Sequence, residues 1–136
     1  MSAAKNGPHD FARGWLCKAD SDLANARQTI AGEGPYDTAC FHAQQAIEKS
    51  LKAVIAYHGE PIPRTHELKG LAEQACRLAP GLELDRERCE LRESLSVELR
   101  YDMGFWPDRA KAGEALAVAE DVRERAAAAL PPEARP

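Results

Sequence analysis

From Pro35 to Val54, small and apolar residues return every three or four positions, at Ala39, Ala43, Ala46, Ile47, Ser50, Leu51 and Val54. That spacing puts them on one face of an α-helix, whereas a half-buried strand would alternate every second residue. A helix with one dry face must bury it against other elements, so the remainder of the chain has to supply partners. The many alanines let those partners approach closely.

The flanking sequence supplies helices. Asp10 suits an N-cap, and Phe11, Trp15, Ala19, Leu23, Ala26 and Ile30 make one stripe down a first helix that Gly32 and Gly34 end. Pro35 fits the first turn of the second helix, which stops near Gly59 because Pro61 and Pro63 cannot continue it. Thr65 is placed to cap a third helix with Leu68, Leu71, Ala72 and Ala75 facing inward, broken at Pro80 and Gly81. Asp85 opens a fourth, striped by Leu91, Leu95 and Leu99 and running to Tyr101 and Met103 before Gly104 and Pro107. Asp108 caps the last, which turns Ala112, Ala115, Ala119, Val122 and Ala126 inward. Short loops between such helices predict an all-α, up-and-down antiparallel bundle of four long helices and a shorter one. It occupies residues 10–130 as one domain, between a flexible arm over 1–9 and a flexible tail over 131–136.

A chain of 136 residues can bury a full core without staples. Its net charge of −4 gives no global attraction to nucleic acid or anionic membranes, so any such contact needs a local patch. No apolar run suits a membrane span or a signal core, and cytoplasmic residence is the default. Cys17, Cys40, Cys76 and Cys89 are dispersed and lack metal-ligand spacing, which favours buried free thiols over disulfides or zinc. No phosphate-cradling Gly loop, Ser–His–Asp order or metal-binding carboxylate pair appears, so no catalytic residue, metal or cofactor is assigned.

Two constellations remain. On the second helix Gln45, Glu48, Lys49 and Lys52 share the face opposite the apolar stripe, where solvation is the simplest reading. A Glu48–Lys52 pair is worth only about 0.3–0.5 kcal/mol on a helix surface. Lys49 and Lys52 would meet an anion together with Arg64 and His66 if the proline-rich loop folded back over the helix. His66 also suits a structural task, bonding a loop carbonyl and fixing the start of the third helix. Late in the chain, Leu99-Arg100-Tyr101-Asp102 precedes Met103-Gly104-Phe105-Trp106-Pro107. Arg100 suits a phosphate or carboxylate, and Tyr101 or Trp106 a stacked base. In the plainer reading Arg100 pairs with Asp102, while Tyr101, Phe105 and Trp106 form an interface between chains.

Gln44, Gln45, Ala46, Glu48, Lys49, Lys52 and Ala53, followed by Gly59, Pro61, Thr65, His66 and Leu68, give the chain a resemblance to the HEPN domain family. The resemblance implies a helical bundle that pairs with a second copy. Many HEPN ribonucleases carry Arg, four to six residues, then His late in the domain, and no histidine follows His66 here. The Arg100-Tyr101 segment is similar instead to the Arg-Tyr-Pro segment of HEPN proteins that are not ribonucleases, with Asp102 in place of the Pro. The resemblance therefore implies a non-catalytic homodimer that binds a nucleotide, RNA or a minimal nucleotidyltransferase partner, in a toxin–antitoxin-like or two-part nucleotide-transfer system. Two alternatives stay open: a metal-independent ribonuclease joining Arg100 to His66 or His42, and a ligand-free interaction scaffold.

Overall fold

The computed structural model describes residues 7–64, 68–84 and 103–136. Among these, four α-helices and no strand occur: α1 over Pro8–Ala31, α2 over Tyr36–Tyr57, α3 over Leu68–Leu78 and α4 over Arg109–Ala128. Short 3-10 turns at Pro80–Leu82 and Pro132–Ala134 follow α3 and α4. The all-helical bundle expected from the periodicity is thus what the chain forms. The fourth helix expected from Asp85, with Leu91, Leu95 and Leu99, and the cap assigned to Thr65 lie outside the described residues.

Helix α1 begins two residues before Asp10. Pro8 takes the first turn, where its missing N–H is no loss, and Asp10 serves from inside the helix by accepting from the Gly7 amide at 3.2 Å. Arg13 donates to the same carboxylate at 2.9 Å, and the two contacts hold Asp10 below the usual carboxylate range. The expected stripe is also rotated at its start. Ala12, Leu16, Ala19, Leu23 and Ala26 are buried, whereas Phe11 is 53% exposed and Trp15 only partly covered. Aromatic residues at helical spacing identified a face, but the face they identified is the edge of the core.

Helix α2 is the spine. Its Ala39, Ala43, Ala46, Ile47, Ser50, Leu51 and Val54 are all buried, as their spacing requires, and the Ser50 hydroxyl donates to the Ala46 carbonyl at 2.7 Å. Gly34 precedes it at φ +93°, where a side chain would be strained and a Cβ would lie 3.0 Å from the Tyr36 nitrogen. Cross-helix contacts set the directions. Asp22 meets His42 and Lys49, Trp15 meets Lys52, and Phe11 and Ala56 line one cleft, so α1 and α2 run antiparallel. Arg27 binds Glu120 while Arg123 binds Asp20, so α4 also opposes α1 and runs with α2.

Asp108 caps α4 as expected, accepting from the Lys111 amide at 2.9 Å, and Ala112, Ala115, Ala119, Val122 and Ala126 are buried. Arg109 ties this end to the α1–α2 connection through the Gly32 carbonyl at 2.7 Å and the Tyr36 hydroxyl at 3.2 Å. Residues 131–136, expected to form a loose tail, instead pack: Ala134 is fully buried, Arg13 donates to the Glu133 carbonyl, and Arg135 donates to that of Leu130. The two prolines stop α4 but start a 3-10 turn rather than freeing the chain. Cys40 is buried, but Cys17 is an exposed thiol, because its position falls on the outer side of α1.

Candidate functional site

The α2 charges, read from the sequence as one solvated face, divide into two different environments. Glu48 is 3% exposed and Lys52 8%, and they pair at 3.1 Å with the Lys52 ammonium 5.3 Å from the centre of the Trp15 ring. Here the sequence expectation is corrected: Trp15 and α1 roof this part of α2, so the i,i+4 pair is buried rather than surface. Burying two charges demands close mutual compensation, which the carboxylate contact and the aromatic face provide. One turn earlier Gln44 is buried, and its amide makes no hydrogen bond among the described residues.

Lys49 points to the other side. Its ammonium donates to Asp22 Oδ2 at 2.6 Å, and His42 Nδ1 lies 2.8 Å from Asp22 Oδ1. Asp22 comes from α1 and is 8% exposed, while His42 and Lys49 remain partly open to solvent. A carboxylate engaged by an ammonium can only accept, so His42 Nδ1 is the donor of its pair. The imidazole is thereby fixed with its hydrogen on Nδ1. Phe41, itself exposed, sets its ring edge-on to His42 with centroids 5.5 Å apart.

These pairings revise the cation cluster expected from Lys49, Lys52, Arg64 and His66. Lys49 and Lys52 diverge and each holds a carboxylate, and Arg64 is exposed in the loop after α2. His66, Arg100 and Tyr101 lie outside the described residues. Of the aromatic segment, Phe105 packs partly against the core with Lys111 5.3 Å from its ring centre, while Trp106 is 75% and Met103 93% exposed. Met103 therefore does not continue a buried stripe. A third feature lies at the other end of α2: an apolar cleft of 360 Å³ between Pro8, Phe11, Trp15, Ala56 and Ile62, with Glu60 at its edge.

Asp22 and its hold on His42 were not found from the sequence. A signal existed, because Asp22 falls among Ala19, Leu23 and Ala26 on the buried side of α1, and a carboxylate there requires partners. His42 and Lys49 stand seven residues apart on one α2 face, but nothing local says that the α1 carboxylate lies between them. Among the described residues no group of three or more His, Cys, Asp or Glu side chains is gathered as a metal site. No described helix is long and apolar enough to cross a membrane.

No curated protein matches the sequence. Among solved structures, TT1696 from Thermus thermophilus superposes with a TM-score of 0.73 at 26% identity, covering 88% of this chain and 98% of that one. A family model described as HEPN domain matches residues 12–129, from the first turns of α1 to the end of α4. With the fold, the neighbour and the family pattern in agreement over nearly its whole length, this chain belongs to the HEPN domain family.

Proposed function

We propose that this chain is a non-catalytic HEPN-domain protein that dimerises and acts as the binding half of a two-part nucleotide-transfer or toxin–antitoxin-like system. Its ligand is a nucleotide or RNA, or its partner a minimal nucleotidyltransferase. The observation that carries the reading is the exposed segment ahead of α4. Met103 and Trp106 stand in solvent beside a partly covered Phe105, and large apolar side chains held out together in one segment are characteristic of contact surfaces. The neighbouring residues Arg100 and Tyr101 extend the same segment in sequence. The engagement of Lys49 and Lys52 by carboxylates further supports binding at this segment rather than at a cationic patch on α2.

Light scattering at micromolar protein tests the dimer: twice the mass of the chain is expected, and Trp106→Ala should shift the equilibrium toward the monomer. A monomer mass for the unaltered protein overturns the dimer. RNA incubated with the protein in EDTA should stay intact. Cleavage that disappears in Arg100→Ala, His66→Ala or His42→Ala would replace this reading with that of a ribonuclease.

A further inference from the structure

At the seam between α1 and α2, the geometry points to a nucleophilic imidazole: His42 Nε2 as an acceptor of phosphoryl groups from activated phosphate donors. Three facts converge. Asp22 Oδ1 binds Nδ1 at 2.8 Å, so the ring nitrogen that carries a lone pair in the neutral imidazole is Nε2. Asp22 is itself fixed, being 8% exposed and held through its second oxygen by Lys49 at 2.6 Å. The His42 side chain keeps 29% of its surface in solvent while its Nδ1 is held from within by Asp22, so the ring is oriented and not sealed off. A carboxylate orienting a histidine that presents its other nitrogen is the arrangement that makes an imidazole an effective base or nucleophile.

The chemistry closes without any group the protein does not have. The Nε2 lone pair attacks phosphorus of an acyl phosphate or phosphoanhydride. The N–P bond forms as the bond from phosphorus to the bridging oxygen breaks, and the electron pair departs on the leaving carboxylate or phosphate. The Nδ1 hydrogen stays where it is, shared with Asp22, so no proton must be lost from the ring. Positive charge developing on the imidazole is balanced by the Asp22 carboxylate, which Lys49 holds in place from its other oxygen.

The test uses phosphoramidate, a small phosphoryl donor whose ammonia leaves as phosphorus is taken, on the intact protein with phosphopeptide mapping of every histidine. His9 and His58 are exposed and serve as internal controls. Despite its lower exposure, His42 should be labelled faster than either by about tenfold or more, because an oriented nucleophile outweighs access. Asp22→Asn should erase that preference while thermal unfolding shows the chain still folded, and His42→Asn should remove the label. If His42 reacts no faster than His9 and His58, or keeps its lead in Asp22→Asn, the proposal is overturned and the Asp22 contacts are a structural pin between helices. Should Asp22→Asn fail to fold, Lys49→Met provides the second variant: a reduced lead for His42 supports the proposal, and an unchanged lead overturns it.

Discussion

Helix α2 carries two sets of polar side chains only one turn apart, and they do different things. Glu48 and Lys52 are sealed beneath Trp15, whereas Lys49 and His42 sit at the open seam where Asp22 reaches across from α1. In the sealed region both side chains are almost wholly out of solvent, so the pair chiefly constrains packing. At the seam the Lys49 ammonium and the His42 ring both keep solvent contact, so their contacts are cheaper to break. Proximity in sequence therefore says little about what a charge contributes; the depth of the cover decides it.

The largest effect that sharpens this contrast should come from Lys52→Ala. Removing one member of a buried pair costs about 3–5 kcal/mol, so the urea midpoint should fall steeply. A loss below about 1 kcal/mol, the value typical of exposed pairs, would mean that the region is not sealed in solution.

Asp22→Ala comes next. It deprives His42 and Lys49 of their common acceptor, but both can turn to water, and the expected loss is about 1–2 kcal/mol. If this variant proves as damaging as Lys52→Ala in the same urea titration, the distinction between seam and sealed interior fails.

The smallest effect lies outside both regions, at the start of α1. Asp10 is held below the ordinary carboxylate range by the Gly7 amide and Arg13, in that order. A depressed pKa in the folded state means that the stabilisation is fully present above the unfolded value and fades as the pH falls through the folded one. Below about pH 4 the native protein should thus lose slightly more thermal stability than Asp10→Asn. Parallel melting-temperature curves from pH 5 to pH 2 would remove Asp10 from the account and leave the α2 groups as the charges that matter.

Much of the frame is legible in the residues. The alanine spacing in α2 and α4, the Asp108 cap and the inward set of Leu68, Leu71, Ala72 and Ala75 all stand where a 3.6-residue period puts them. The boundaries were less legible. Pro8 rather than Asp10 begins α1 because a helix start can be satisfied from its third position as well as from its cap. The site was legible least of all. Lys49 and Lys52 were visible as α2 cations, but their separation into unlike surroundings was not, and His42 gained its role only from a carboxylate twenty residues away.

By itself the sequence determined the class of this protein: helices, the apolar stripes that α2, α3 and α4 turn inward, and membership of a family whose pattern runs from the α2 residues into the following loop. Tertiary structure alone decided which polar groups on those faces would meet. Helical periodicity fixes the direction of a side chain relative to its own axis, but not what the neighbouring helix lays over it. Trp15 could cover Lys52, and Asp22 could seize His42 and Lys49, only once α1 had packed antiparallel along α2.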